Sequence, residues 1–210
     1  MGVKLAALLA GAVLGGAALA ACSAVGARQA EEPAYSVAAE LGDVQVRQYG
    51  PRVAAETVLD GNEEDARSIG FRHLADYFSG ANRSGAKIAL TAPEAQDAAG
   101  PAAPVAQAGE TFGRWRIRFF MPRGDTLATL PQPNDPSVVL VAVPPETLAV
   151  LRFSGTASAE AVAARTADLV AALEGTAWRP AGEPAAWFYD PPWTLPPLRR
   201  NEVAIPVSPK

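Results

Sequence analysis

The sequence predicts an α+β fold, a distorted antiparallel β-barrel built from two pseudo-repeats and flanked by two helices. Three observations point there: an internal duplication, β-branched segments joined by Pro or Gly turns, and two helical stripes that each end at a glycine. The first copy reads Val44-Gln45-Val46-Arg47-Gln48-Tyr49, the turn Gly50-Pro51, then Val53 to Leu59 and Gly61. The second reads Val138 to Val143, the turn Pro144-Pro145, then Leu148 to Phe153 and Gly155. Pro51 and Gly61 fall on Pro145 and Gly155 without a gap, at one offset of 94 residues (145 − 51 = 94).

A helix is predicted after each glycine, over Asn62 to Phe78 and Ser158 to Leu173, ending at Gly80 and Gly175. Asn62 and Ser158 can accept hydrogen bonds from the unpaired amides of a first turn, and Glu63, Glu64, Asp65 and Glu160 suit the positive end of a helix dipole. Ile69, Phe71, Leu74, Tyr77 and Phe78 form one apolar stripe, and Val162, Leu169, Val170 and Leu173 form the other, so each helix is expected to lie on the sheet. Further strands are expected at Lys87 to Thr91, Trp115 to Met121, Ala186 to Tyr189 and Glu202 to Val207. Between Glu94 and Glu110 the chain is Ala, Gly, Pro and Gln with almost no large apolar residue, which predicts a mobile loop. Residues 34–210 are expected to form a single domain.

Ahead of this body, Lys4 precedes an uninterrupted apolar run from Leu5 to Ala21, the pattern of an export signal. Leu19-Ala20-Ala21-Cys22 resembles the cleavage motif of bacterial lipoproteins, which implies a signal peptide over 1–21, lipidation of Cys22 and a polar tether over 22–33. Ser23, rather than an acidic residue, resembles lipoproteins sent to the outer membrane, so the expected address is that membrane, facing the periplasm. Removing the signal leaves 17 of the 18 basic residues against 22 acidic ones, a net charge of −5. An acidic chain without a basic run lacks the electrostatic footprint of nucleic-acid binding. One cysteine and one histidine exclude a disulfide framework and the usual Cys/His zinc site.

Several motifs fall together in order: Arg47-Gln48-Tyr49-Gly50-Pro51, Gly80-Ala81-Asn82 with Lys87 to Pro93, Phe120-Met121-Pro122, Leu130-Pro131 to Pro136, and Tyr189-Asp190-Pro191-Pro192-Trp193 to Val203. In these the chain resembles the SOUL/HBP haem-binding protein family, as a bacterial lipoprotein member, over about residues 33 to 207. The resemblance implies the same two-helix barrel, a fold shared with small-molecule-binding regulatory domains, and haem or a related tetrapyrrole as ligand.

Haem iron is usually held by His, Cys, Met or Tyr. The resemblance puts an iron-ligating histidine of some members where this chain has Gln48, and a haem contact surface on the first helix, within Gly70-Phe71-Arg72-His73-Leu74. His73, Arg72, Phe71 and Arg67 are therefore the expected haem contacts. His73 is the candidate axial ligand, and Arg72 or Arg67 would pair the propionates. The alternative reading leaves His73 as a partly exposed helical residue. Met121 is a weaker ligand candidate, Tyr49 and Tyr77 are expected as packed aromatics, and Arg199 and Arg200 as structural forks to carbonyls or carboxylates. Without a nucleophile paired to an oriented base, no enzyme is expected. The expected role is buffering, carriage or sensing of haem. The alternatives are a binding module for another apolar small molecule, or a ligand-free structural or interaction protein of the envelope.

Overall fold

Strand pairing is antiparallel throughout the described residues, which in this computed structural model are 30–99, 105–107, 110–191 and 193–210. The expected signal, Cys22 and the tether up to residue 29 lie outside them. In chain order the strands are β1 (Tyr35–Leu41), β2 (Val44–Tyr49), β3 (Arg52–Asn62), β4 (Glu94–Ala98), β5 (Val105–Gln107), β6 (Glu110–Phe120), β7 (Val139–Val143), β8 (Glu146–Phe153), β9 (Trp178–Pro180), β10 (Ala185–Phe188) and β11 (Asn201–Pro209). Helix α1 (Glu63–Phe78) follows β3, and α2 (Ala159–Ala172) follows β8.

The hydrogen-bonded order is β1-β2-β8-β11-β10-β4-β6-β3-β7, with β5 added to β6 and β9 to β11. Leaving out β1, it reads the same from either end once the two copies are exchanged: β2-β8-β11-β10 mirrors β7-β3-β6-β4. The duplication therefore appears as a pseudo-twofold relation between β10 and β4. Each proline corner carries the chain between opposite ends of this order, because β2 pairs with β8 and β3 with β7 rather than with each other. That wraps the sheet into a distorted barrel, left open along one seam because β1 and β7 end the order unpaired with one another. Arg52 and Glu146, the first strand residues after the two corners, form an ion pair across this region, and Arg52 stacks on Tyr49 and Phe120.

Strand alternation sorts the side chains into three layers. On β3 and β6, Ala55, Trp115, Ile117 and Phe119 face α1 and its Leu74, Tyr77 and Phe78. On β2, β8 and β11, Val44, Val46, Ala149, Val203 and Ile205 face α2 and its Leu169 and the adjoining Leu173. The opposite strand faces, including Tyr49, Ala54, Phe120, Leu148, Val150 and Ala204, fill the interior with Trp187. Both helices start on the expected caps: Asn62 accepts from the amides of Glu64 and Asp65, at 2.8 and 3.2 Å, and Ser158 from that of Ala161. None of the described helices is long and apolar enough to cross a membrane.

Two expectations are corrected. The segment read as a loop from Glu94 contains β4 and, further on, β5. β4 is poor in β-forming residues, but it sits between β10 and β6, where Asp97 meets Arg116 at 2.9 Å and Gln96 donates to the Glu63 carbonyl at 2.8 Å. Tertiary partners override local propensity there. The strand expected over Lys87 to Thr91 is instead an irregular connector, held by the Ile88 amide on the Phe78 carbonyl and a single bridge from Thr91 to Glu31.

The seating of α1 depends on Gly70. A Cβ there would lie 2.5 Å from Ile117 Cγ1 and 2.9 Å from Ile117 Cβ, and the latter cannot swing away by a rotamer change. Gly70→Ala would regain about 1 kcal/mol of helix propensity, whereas overpacking costs about 1–3 kcal/mol. With so close a clash the cost dominates, and a net loss of about 1–2 kcal/mol is expected in urea denaturation. A more stable variant would show that α1 does not lie this close to β6.

A candidate ligand cleft over the first helix

Helix α1 turns one face toward Ile117 and Phe119 and the other toward a cleft of about 820 Å³. Arg67 and Phe71, one turn apart, and Arg72 beside them line it. Facing them are the Thr156–Ser158 segment ahead of α2, Phe188 at the end of β10, and Tyr189 and Trp193 in the chain that follows. Glu94, at the start of β4, also borders the cleft. Phe71 meets Phe119 edge-on at 5.5 Å, so the apolar wall continues into the core.

The cleft's charges are arranged unevenly. Arg67 lies over the Phe188 ring at 4.3 Å and donates to the Ala157 carbonyl at 3.1 Å, which ties α1 to the start of α2. Arg72 is exposed at the rim. Glu94 has a buried Oε1 with no hydrogen-bond partner among the described residues. Burial pushes its carboxyl up to about 8, with Arg67 only partly offsetting that effect. At neutral pH Glu94 is therefore largely protonated and can donate a hydrogen bond.

The wall from Tyr189 onward is built by short-range bonds. The Tyr189 hydroxyl donates to Glu202 at 2.6 Å, and the Arg200 amide donates to Asp190 at 2.6 Å. Arg199 Nε donates to the Thr194 carbonyl at 2.7 Å, while Arg200 forks to Glu202 and Glu32. Both arginines thus make the structural bonds expected of them.

Of the expected haem contacts, Arg67, Phe71 and Arg72 meet at the cleft and His73 does not. At about 100° per residue, His73 stands about 200° around the helix from Phe71. Its Nδ1 lies 2.5 Å from Asp135 Oδ2 and 3.2 Å from the Ser137 hydroxyl. Bonds from Ser137 and then His73 hold the Asp135 carboxyl down to about 2. Met121 is buried in the core beneath α1, the Tyr77 hydroxyl donates to the Pro131 carbonyl, and the Tyr49 ring packs against Tyr35 and Trp187. Gln48 is exposed on β2 and does not line the cleft. Sequence reasoning missed Glu94, Phe119 and Phe188 as lining residues, because only the folded sheet brings their strands to α1.

These features define a two-helix α+β barrel protein with an open, aromatic-walled cleft. The SOUL heme-binding protein family matches over residues 30–206, and the chain belongs to that family. Among solved structures it is similar to the C-terminal domain of EcmrR, at 11% identity and a TM-score of 0.60 over 84% of this chain and 99% of that one. A Listeria innocua hydrolase gives 11% identity and a TM-score of 0.56, covering 79% of this chain and 92% of the other. An uncharacterized conserved protein from Listeria innocua gives 13% and 0.54, covering 85% and 93%. At such identities the likeness shows the fold alone. No curated protein matches the chain.

Glu94 generates a pH dependence. A carboxyl raised from about 4.5 in the unfolded chain to about 8 in the folded one costs stability as pH rises between those values and nothing below them. Glu94→Gln should remove this slope, leaving Tm unchanged near pH 4.5 and raised at pH 8, by the equivalent of up to about 4 kcal/mol. Parallel Tm profiles for the variant and the parent would contradict the assignment.

Proposed function

We propose that this protein is a haem- or tetrapyrrole-binding lipoprotein of the bacterial cell envelope that buffers, carries or senses its ligand in the α1 cleft. In this reading 1–21 is a signal peptide, Cys22 is lipidated, a tether follows to residue 33, and residues 34–210 are the binding domain on the periplasmic side of the outer membrane. The observation that carries the binding reading is the cleft, about 820 Å³ with aromatic walls, Arg67 inside and Arg72 at the rim, in a chain of a haem-binding family. That volume suits a ligand of drug or cofactor size, for which pockets run from roughly 300 to 1,000 Å³.

Haem, when bound, supplies a redox-active iron in a flat apolar macrocycle. Phe71, Phe119 and Phe188 offer the apolar surface, and Arg67 and Arg72 the charge for its carboxylates. The described cleft residues include no His, Cys or Met, and the hydroxyl of Tyr189 is engaged with Glu202. Burial of the macrocycle and pairing of its propionates therefore dominate retention, and His73, on the other side of α1, stays with Asp135. A second reading has its own support: the unpartnered Glu94 carboxyl suits a different apolar ligand that carries a hydrogen-bonding group.

Haemin titration of the chain from Ser23 onward, followed by absorbance, tests this. Saturable one-to-one binding is expected, weakened about 5- to 10-fold by Arg72→Ala, the loss of about 1–1.4 kcal/mol from one charge-assisted contact. His73→Ala should leave affinity and Soret position unchanged, and a moved Soret band would restore His73 as ligand. Linear, unsaturable uptake would leave the fold with the second reading. The address is tested separately by metabolic labelling with a palmitate analogue. Label should be lost in Cys22→Ser, and its persistence would remove the lipoprotein claim.

A further inference from the structure

The chain that walls one side of the cleft exposes three large apolar side chains to solvent. Trp193 is 79% exposed, Leu195 62% and Leu198 46%. No residue from Pro191 to Leu198 is charged. The segment is nonetheless held in shape: the Thr194 amide bonds the Pro191 carbonyl at 3.0 Å, the Leu198 amide the Leu195 carbonyl at 2.8 Å, and the Gly155 amide the Pro196 carbonyl at 2.9 Å. A fixed apolar lip in water is the kind of patch that marks an interaction surface.

The position of the N-terminal segment says what covers it. Ala30 lines the same cleft as Trp193, Glu31 bridges to Thr91, and Glu32 pairs with Arg200 at 2.9 Å, two residues beyond Leu198. From Cys22 to Ala30 is eight residue steps (30 − 22 = 8), at most about 29 Å of extended chain. An acyl anchor on Cys22 would therefore hold this side of the cleft close to a bilayer.

We infer that Trp193, Leu195 and Leu198 form a membrane-docking lip that enters the boundary between headgroups and acyl chains, so that the cleft mouth opens on the bilayer surface. This rests on the lipid anchor proposed above. Tryptophan favours that boundary because its ring is apolar and its N–H polar. Anchoring by acyl chains and contact by an apolar patch reinforce one another. An amphipathic ligand dissolved in lipid could then reach Phe71 without passing through bulk water.

The test uses the full chain purified from bacterial envelopes and reconstituted into phosphatidylethanolamine and phosphatidylglycerol vesicles containing brominated phosphatidylcholine. Trp115 and Trp187 are buried, and Trp178, half-buried on β9, is replaced by Phe in the parent and in every variant, so bromine quenching should report chiefly on Trp193. Quenching is expected to fall at least twofold in Trp193→Phe, and also in Leu195→Ser/Leu198→Ser, in which Trp193 itself is kept. Equal quenching in parent and Trp193→Phe, or none in the parent, overturns the lip. Mass spectrometry of the N-terminal peptide separates the two claims. Acylated Cys22 with unquenched Trp193 removes the lip and keeps the anchor; quenched Trp193 with unmodified Cys22 keeps the lip and removes the anchor; neither signal removes both.

Discussion

The carboxylate of Glu202, only 1% exposed, joins parts of the chain that are far apart in sequence. Arg47 on β2 donates to both of its oxygens, at 2.9 and 3.2 Å, Tyr189 donates at 2.6 Å, and Arg200 adds two bonds at 3.1 and 3.0 Å. Burial alone would raise the Glu202 carboxyl, but Arg47, Tyr189 and Arg200 outweigh it and hold the group below its ordinary value. Arg200 also lies over the Tyr189 ring at 3.7 Å and reaches Glu32 in the N-terminal segment. Removing one member of such a buried charged set costs about 3–5 kcal/mol, because the charge left behind loses its partner. The cleft inherits this constraint through Tyr189, which is both a wall of the cleft and a ligand of the buried carboxylate.

The two copies share a backbone plan and diverge in chemistry. α1 and α2 end at Phe78 and Ala172, positions related by the 94-residue offset of the duplication. At the same offset Arg67 and Phe71 correspond to Ala161 and Arg165, and Gly70 to Ala164. The first helix thus has the close-approach glycine, the cleft aromatic and the inner arginine, and the second has none of them. Deep seating of α1 against Ile117 brings Phe71 edge-on to Phe119 and fixes one wall of the cleft.

The fold was legible where local chemistry and tertiary need agree. The paired prolines, and Gly61 and Gly155 with φ of 139° and 104°, mark equivalent points of the two copies, and the Asn62 and Ser158 caps follow those glycines one and three residues on. β4 was hidden because Glu94-Ala95-Gln96-Asp97-Ala98 has little intrinsic preference for a strand; its stabilising partners, Arg116 and Glu63, come from elsewhere in the chain. The site was legible by halves. Arg67 and Phe71 are visible as one helix face, from which the helix period already sets His73 apart, whereas its partner Asp135, 62 residues further on, emerges only in the fold. Glu94 gave no signal, since its burial arises only when β4 joins the sheet beside α1.

At the seam of the barrel, Arg52 and Glu146 occupy the same position in the two copies, 94 residues apart, and bond to each other. A true homodimer of one copy would present the same side chain twice across its twofold axis, so this position would bring together two arginines or two glutamates and repel. Only two halves free to differ in sequence, as the two copies in this chain are, can place opposite charges there. The bond is thus a mark of divergence between the copies: it makes each half complementary to the other and a poor partner for itself.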